Sequence, residues 1–281
     1  MIHEHEIPTG SRLYFGKTAK LKRTLENTTS EFLEKHEFEE IITPNFSYSG
    51  HQSIDDEKTL ITLSDESNNS LALRADSTLD VVRIISKRLG RATLHKKWFY
   101  IQPVFTYPAN ETYQIGAEWI GHDNICDMIN LNCDLLNTLE VDALVQIANI
   151  NIPTIISKEY DIDIDLFKNG EIGALFELEY EWLSKLISVS TAKELEALLE
   201  LLPTCLVKEC KKLIEIAKSI QYANVNISPI YYSAMKYYDD IYYRVIKDHL
   251  TIAKGGGYKS SGIQSLGFAV YTDSLLKVIE G

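Results

Sequence analysis

An excess of positive charge is the first thing that this sequence lacks. It has 28 lysines and arginines against 40 aspartates and glutamates, a formal net charge of −12. Because non-specific binding to nucleic acids depends mostly on cations that neutralise phosphates, this balance argues against a general nucleic-acid-binding role. The one modest cationic stretch, residues 87–97, is interrupted by apolar residues and is interpreted as a solvated surface. We therefore expect no nucleic-acid partner.

Long apolar runs and a secretion signal are also missing. The sequence has no apolar run of about 18 residues, the length that a membrane-spanning helix needs. Residues 1–6 lack the basic-then-apolar layout of a signal peptide. We therefore expect a cytoplasmic protein with no membrane partner.

Spacings typical of metal sites are absent as well. The 4 cysteines form no CxxC pair, and the 7 histidines occur in no HExxH or comparable pattern. The cysteines are therefore interpreted as buried free thiols, and we expect neither a metal nor any other cofactor.

Glycine-rich phosphate loops are the last absence. Gly10 and Gly16 are separated by five residues, most of them bulky, whereas a P-loop has four between its glycines and needs exposed backbone amides. Three glycines at residues 255–257 do not open a βαβ unit, which excludes a dinucleotide-binding motif. These glycines predict a tight turn or a place where the backbone passes close to a ligand.

The composition that is present is typical of a globular protein. The 281 residues, 45% hydrophobic and 24% charged, suffice for one large α/β domain or two smaller ones. Helical periodicity over residues 17–35 and an apolar run over 38–43, stopped by Pro44, predict a helix followed by a strand. Alternation over residues 59–63 and 71–75 predicts a β-hairpin.

The remaining segments predict a largely antiparallel sheet with a helical insertion. Residues 98–106 and 113–120 are separated by a short connection and predict an antiparallel pair of strands. Residues 155–223 are rich in Leu, Glu and Lys and predict helices. Strand character resumes at residues 225–230 and 241–246.

The last segment, residues 250–281, predicts a strand, a glycine turn, a second strand and a closing helix. We expect this helix to run from about Thr272 to Ile279.

Polar residues stand where the predicted hairpin leads into a helix. Ser77 or Thr78 can cap this helix, whose apolar positions end at Gly90. Asp76 and Thr78 lie at the end of the strand, where an acid and a hydroxyl can meet an ammonium group. Taken alone, helix capping is the simpler interpretation, and a ligand site is the alternative.

Two further features are candidates for a small-ligand site. Gln114, Gly116 and Glu118 share one face of a predicted strand, and a glycine between polar residues leaves room for something small. A solvent-facing stripe is the alternative. Tyr237 and Tyr238 supply aromatic walls with polar tips, although dense tyrosine is more often part of a core. None of these features defines a function by itself.

Taken in order, these segments resemble the histidyl-tRNA synthetase family and its catalytically inactive paralogues, the regulatory subunits of ATP phosphoribosyltransferase. The resemblance covers most of residues 8–150 and 224–281. It is carried by residues 8–10, the helix and strand that end at Pro44, residues 73–78 against the family's Arg-Pro-Glu-Gly-Thr type sequence, residues 113–118 for motif 2, the paired tyrosines 237–238, residues 253–258, and residues 266–270 for motif 3.

The resemblance implies a fold and an assembly. We expect an α+β fold of the class II aminoacyl-tRNA synthetase type, with an antiparallel sheet flanked by helices. Residues 1–281 would form a single domain with a helical insertion at about 155–223 and no anticodon-binding domain. The motif 1 segment around Pro44 implies a homodimer.

Three departures from the family concern the cations of amino-acid activation. Fixed arginines stabilise the negative charge that accumulates when a carboxylate attacks the α-phosphate of ATP. Where the family has these arginines, in motif 2, ahead of the paired tyrosines and in motif 3, this chain has Thr106, the stretch 233–236 beginning with Ser233, and Ser274. Losing one such group typically costs on the order of 100-fold or more in rate, so adenylation is not expected.

The amino-acid pocket is retained better than the ATP pocket. The resemblance places the histidine ligand at Asp76, Thr78, Gln114, Glu118, Tyr237 and Tyr238. It therefore implies a non-catalytic regulatory subunit with histidine as effector, working with a short-form ATP phosphoribosyltransferase catalytic subunit in a hetero-oligomer. It would be needed for activity and feedback inhibition in the first step of histidine biosynthesis.

Two alternatives remain open at this stage. One is a trimmed aminoacyl ligase of the histidyl-tRNA synthetase type, in which Lys236 or Arg74 substitutes for the missing arginines. The other is an orphan amino-acid-binding module with a different ligand.

Overall fold

A computed structural model describes residues 6–51, 57–89, 92–233, 238–260 and 262–280. The chain divides into two compact units. The first unit comprises Met1–Gly121 and Ser260–Gly281, and the second comprises His122–Lys259.

Helices and strands are numbered in chain order. The α-helices in the described residues are α1 Gly16–Lys35, α2 Thr78–Ile84, α3 Ile125–Thr138, α4 Asn151–Tyr160, α5 Ile164–Lys168, α6 Ile172–Phe176, α7 Glu181–Ser188, α8 Ala192–Leu198, α9 Thr204–Ser219 and α10 Thr272–Glu280. The strands are β1 Glu39–Glu40, β2 Phe46–Tyr48, β3 Thr62–Ser64, β4 Ser70–Leu73, β5 Lys97–Thr106, β6 Asn110–Ile120, β7 Leu144–Asn149, β8 Val225–Ile227, β9 Tyr238–Lys247, β10 Leu250–Ser260 and β11 Ile263–Tyr271.

The first unit is built on strands in the order β1-β5-β6-β11. β6 runs antiparallel to both β5 and β11, and only β1 is parallel to its neighbour. One face of these strands carries large apolar residues, among them Phe99, Ile115 and Phe268, all at most 1% exposed. Helices α1 and α10 pack against β6. A separate small antiparallel sheet has the order β2-β4-β3.

The second unit has strands in the order β10-β9-β7-β8 and helices α3 to α9. Its core is aliphatic: Met128 and Leu135 of α3, Val145 of β7 and Leu213 of α9 are fully buried. Helix α9 packs against β7, α4 and α8. The structure thus has six helices between Asn151 and Ser219, where the sequence predicts a helical stretch. No helix among the described residues is long and apolar enough to cross a membrane.

Several predicted elements are confirmed. They are the long helix at residues 17–35, the hairpin of β3 and β4, the antiparallel pair β5 and β6, and the closing helix α10. Helix α3 and strand β7 were not predicted from the sequence. The predicted strand at 225–230 is shorter, because β8 ends at Ile227.

The predicted strand over residues 38–43 is wrong for most of its length, since β1 covers only Glu39–Glu40. Ile41 N–H still donates to the carbonyl of Phe99 in β5 at 2.8 Å, but the backbone of Thr43 and Pro44 is bound by side chains. Thr43 N–H donates to Gln102 Oε1 at 3.3 Å, and the carbonyls of Thr43 and Pro44 accept from the Arg74 guanidinium at 3.1 and 3.0 Å.

The glycine turn predicted at residues 255–257 is also wrong, because these glycines lie inside β10. Two tyrosine rings explain them. A Cβ on Gly255 would lie 2.6 Å from the Tyr243 ring, and one on Gly256 would lie 2.7 Å from the Tyr238 ring. Gly255 and Gly256 therefore leave room for aromatic rings against the strand. A glycine with positive φ (+81°), Gly262, stands between β10 and β11 instead.

The cysteines are free, as predicted, but not all of them are buried. Cys133 and Cys210 are buried, and burial raises the pKa of each thiol to about 12. Cys205 is exposed and Cys126 is half-buried. The prediction of buried thiols is therefore correct for two of the four.

Candidate functional site

A polar cluster lies on the second face of the strands β5, β6 and β11 of the first unit. The strand register places Trp98, Glu118 and Gly267 in one row, and the next row contains Tyr100 and Gly116. Directly paired residues of neighbouring strands point to the same side. The predicted polar row of β6 therefore faces aromatic residues of β5 and a glycine of β11.

Glu118 is the most deeply placed acid of this cluster. Its side chain is fully buried, and a Cβ on Gly267 would lie 2.0 Å from Glu118 Oε2. Gly267 therefore provides the space in which the carboxylate lies. A buried carboxylate is costly to hold without hydrogen-bond donors around it.

Tyr100 stands beside Glu118 and is also fully buried. Its hydroxyl donates to Glu118 Oε1 at 3.5 Å, the outer limit of a hydrogen bond, and lies 3.3 Å from Thr78 Oγ1. Burial raises the pKa of Tyr100 well above its usual value, and the negative charges of Glu118 and Asp76 raise it further. Tyr100 therefore stays a neutral phenol that can donate a hydrogen bond.

The sequence did not single out Tyr100. The register of the correctly predicted β5/β6 pair could have found it, because Tyr100 lies directly opposite Gly116. A Cβ on Gly116 would lie 2.1 Å from Cζ of Tyr100, so only a glycine at this position leaves room for the ring.

The side chain of Ser77 does not cap α2. Ser77 occupies the N-cap position but makes no side-chain cap hydrogen bond, and its hydroxyl accepts from Gln102 Nε2 at 3.1 Å. Thr78 is buried and directed to Tyr100. Both hydroxyls thus make tertiary contacts, and a ligand at Asp76 and Thr78 stays a prediction.

The structure brings three of the predicted residues, Asp76, Thr78 and Glu118, around Tyr100. Gln114 is half-buried and lies two residues before Gly116 on the same face, opposite Gln102. Tyr238 belongs to the second unit. Tyr237 lies outside the described residues.

Tyr238 forms an aromatic cluster within the second unit. Its ring lies over Gly256 and packs against Tyr242, with ring centroids 5.2 Å apart. Tyr231 also stacks on Tyr242, with ring centroids 5.7 Å apart. Tyr238 and Tyr242 are at most 7% exposed. Their dense packing agrees with the alternative that the tyrosines serve partly as core.

The chemistry of the first unit's cluster suits a small cationic or N–H-donating ligand. A buried carboxylate, a second acid and a neutral phenol together favour groups such as an ammonium or an imidazole N–H. Gly116 and Gly267 carry no side chain, which leaves room on this face for Tyr100 and Glu118. In the part of the chain that the structure describes, no group of three or more His, Cys, Asp or Glu residues could hold a metal ion.

We expect the Gly116→Ala substitution to displace Tyr100 and to destabilise the protein by about 1–3 kcal/mol, because the added methyl group overpacks a closed core. Urea denaturation monitored by circular dichroism measures this. Gly173→Ala is the matched control, since a Cβ there meets nothing within 4 Å. Equal stability of the two variants would contradict the assigned role of Gly116.

Hydroxyl side chains stand at three positions where the family has its activation arginines. Thr106 is the last residue of β5, Ser274 lies in the first turn of α10, and Ser233 is buried at 3% exposure. The connection from β5 to β6 spans only residues 107–109. Motif 2 therefore has the short loop that the sequence indicates.

Arg74, one of the proposed substitutes, is already fully used. Its side chain is 0% exposed and donates to the carbonyls of Thr43, Pro44 and Pro103 at 2.7–3.1 Å. It also donates to Thr43 Oγ1 and Asn45 Oδ1. A guanidinium bound in this way has no donor left for a phosphate. Lys236, the other substitute, lies outside the described residues.

Comparison with known proteins shows the family of this chain. The sequence profile described as Histidyl-tRNA synthetase matches residues 14–275. The chain is 41% identical to the ATP phosphoribosyltransferase regulatory subunit of Wolinella succinogenes, over 99% of this chain and 97% of that protein. The chain belongs to the family of ATP phosphoribosyltransferase regulatory subunits. The regulatory subunit of Helicobacter hepaticus is 37% identical over 99% of both chains.

The fold of this chain is similar to that of a solved structure. An ATP phosphoribosyltransferase regulatory subunit/histidyl-tRNA synthetase from Bacillus halodurans superimposes with a TM-score of 0.86, covering 100% of this chain and 85% of that one at 19% identity. At this identity the likeness shows the fold alone. The predicted class II synthetase-like α+β fold is therefore confirmed.

Proposed function

We propose that this chain is a non-catalytic regulatory subunit that binds histidine and controls a separate, short-form ATP phosphoribosyltransferase catalytic subunit in the cytoplasm. The observation that carries the regulatory role is the full-length similarity to two proteins named as such regulatory subunits. The absence of the activation arginines at Thr106, Ser233 and Ser274 supports the non-catalytic part of the proposal.

The cluster around Tyr100 supports histidine as the effector. Glu118 and Asp76 would attract the ammonium group or an imidazole N–H, and Tyr100 would orient the carboxylate of Glu118. Gln114 and Thr78 would add neutral polar contacts. In the assembly, a homodimer of this chain would associate with the catalytic subunit in a hetero-oligomer.

Regulation requires that histidine bind one state of the assembly more tightly than another, because a ligand with equal affinity for both would shift nothing. The test is an assay of phosphoribosyl transfer by the catalytic subunit from the same genome, with and without this chain. We expect the chain to raise the rate and added histidine to lower it again. An unchanged rate in both conditions would contradict the proposal.

An aminoacyl ligase is the competing function, since the matching sequence profile is that of histidyl-tRNA synthetase. Such an enzyme would catalyse histidine-dependent exchange of pyrophosphate into ATP. We expect no exchange above background, because Arg74 is bound to backbone carbonyls and three activation cations are missing. Exchange that depends on histidine would favour the ligase.

A further inference from the structure

Three aromatic rings pack on one another at the surface of the second unit. Tyr160 is the last residue of α4, Tyr180 directly precedes α7, and Trp182 is the second residue of α7. The centroid of the Tyr160 ring lies 5.4 Å from that of Tyr180 and 4.9 Å from that of Trp182. All three side chains are half-buried. The rings therefore join the ends of two helices and also present apolar surface to the outside.

Acidic residues flank these aromatic residues along the chain. We call the three rings and their flanking acids the acid–aromatic patch, which consists of Glu159-Tyr160-Asp161 and Glu179-Tyr180-Glu181-Trp182. All four acids are exposed. Glu181 forms an ion pair with Lys185 at 2.7 Å, whereas the other three form no ion pair with any residue that the structure describes. Three carboxylates of the patch are thus available to a partner.

The surroundings of the patch carry charge of the same sign. Residues 159–182 contain eight aspartates and glutamates, all exposed, and one lysine. That lysine, Lys168, is paired with Asp165 at 2.7 Å. More than half of the formal net charge of −12 therefore arises in this segment. Such a concentration of one sign attracts a partner of the opposite sign.

An apolar groove of about 610 Å³ lies beside the patch, between α6, α7 and α8. Glu181 of the patch also lines this groove. Its apolar lining includes Phe176, which is 45% exposed, together with Val189 and Leu198. Protein–protein interfaces combine an apolar, aromatic centre with a polar rim, and the groove and the patch together offer both.

The charge of the patch decides which kind of partner it fits. A nucleic acid carries negative phosphates and would be repelled. A second copy of this chain would place like charges against each other, which is unfavourable at an interface. A protein surface with Arg or Lys is complementary, because each cation can lie over a ring and pair with a flanking carboxylate.

We infer that the acid–aromatic patch and the adjoining groove dock the catalytic subunit of ATP phosphoribosyltransferase, through a surface of that subunit that carries Arg or Lys beside apolar residues. This inference rests on the proposed function, since it concerns the partner that the function requires. It assigns a role to the helical insertion, in which the sequence singled out no functional residue.

The test measures association of the full chain with the catalytic subunit from the same genome, by biolayer interferometry at about 50 and 300 mM salt. The charge variant combines Glu159→Gln with Glu179→Gln. At the lower salt concentration we expect it to associate about 5- to 10-fold more slowly than the unmodified chain, because charges at the rim of an interface act mainly on the association rate. At the higher concentration the difference should shrink to within about 2-fold, since salt screens exposed charges.

Trp182→Leu and Phe176→Ala test the apolar part of the surface. We expect each variant to dissociate about 10-fold faster than the unmodified chain, because aromatic residues at the centre of an interface act mainly on the dissociation rate. Leucine keeps an apolar side chain in α7 but removes the aromatic face over which a cation can lie. Circular dichroism should show that both variants are folded at the assay temperature.

Matched controls change the same residue types outside the patch. Glu31→Gln combined with Glu215→Gln removes two exposed acids, and Phe15→Ala removes a phenylalanine that is 77% exposed. Both controls should associate and dissociate at the rates of the unmodified chain. If the patch variants also keep these rates, the docking inference is overturned while the proposed function stands. If the unmodified chain does not associate with the catalytic subunit, the proposed function fails at its partner, and the inference fails with it.

Sedimentation velocity of this chain alone tests the other protein occupant, a second copy. We expect the charge variant and Trp182→Leu to have the same oligomeric state as the unmodified chain. A changed oligomeric state, together with unchanged rates of association with the catalytic subunit, would assign the patch to contacts between copies of this chain and overturn the docking inference.

Discussion

The Glu118→Gln variant is expected to bind histidine about 100-fold more weakly than the unmodified chain, measured by isothermal titration calorimetry. The carboxylate of Glu118 is fully buried and lies against Gly267. Hydrogen bonds to charged groups contribute about 1.5–3 kcal/mol, which corresponds to a factor of about 10–150 in affinity. The amide also presents donors where a cationic ligand needs acceptors.

The control for this variant is Glu31→Gln. Glu31 is exposed on α1, so its substitution should leave histidine affinity unchanged. Circular dichroism should show that both variants are folded at the assay temperature. If Glu118→Gln kept the affinity of the unmodified chain, the polar cluster around Tyr100 would not be the histidine site.

The Arg74→Met variant is expected to lose about 3–5 kcal/mol of unfolding free energy, measured by urea denaturation. Methionine fills much of the same space but donates no hydrogen bond. The carbonyls of Thr43, Pro44 and Pro103 would then be left without these donors, and a buried unsatisfied acceptor costs about 1–3 kcal/mol. The segment between β1 and β2 would lose the contacts that hold it.

Arg88→Met is the control for Arg74, because Arg88 is exposed and its substitution should change stability by less than about 0.5 kcal/mol. A small loss of stability in Arg74→Met would mean that Arg74 is not the anchor of this region. Its guanidinium would then be available for other contacts, and the aminoacyl ligase alternative would regain its main candidate.

Glu118→Gln and Arg74→Met test two different roles of charged residues in this fold. Glu118 is proposed to contact the ligand, whereas the Arg74 guanidinium donates to backbone carbonyls. The retained acid and the missing activation arginines form an asymmetry that a histidine sensor needs and an adenylating enzyme does not tolerate. This asymmetry supports the non-catalytic part of the proposed function, whereas the regulatory role rests on the full-length similarity to regulatory subunits.

The elements whose pattern is local could be predicted from the sequence. Helical periodicity predicted α1, alternation around a polar turn predicted the hairpin of β3 and β4, and two apolar segments with a short connection predicted β5 and β6. The period of two placed Gln114, Gly116 and Glu118 on one face. These predictions succeeded because the signal for each lies within a few consecutive residues.

The contacts between distant residues could be recognised only in the folded chain. Tyr100 belongs to the candidate site because it lies opposite Gly116. The hydroxyl of Ser77 accepts a hydrogen bond from Gln102 and does not cap α2. The glycines of β10 admit rings from β9, although three successive glycines predict a turn when read alone. In each case the deciding contact joins residues far apart in sequence or on different strands. Local propensity carries no information about such contacts, because their energy comes from packing and from the need to satisfy buried polar groups.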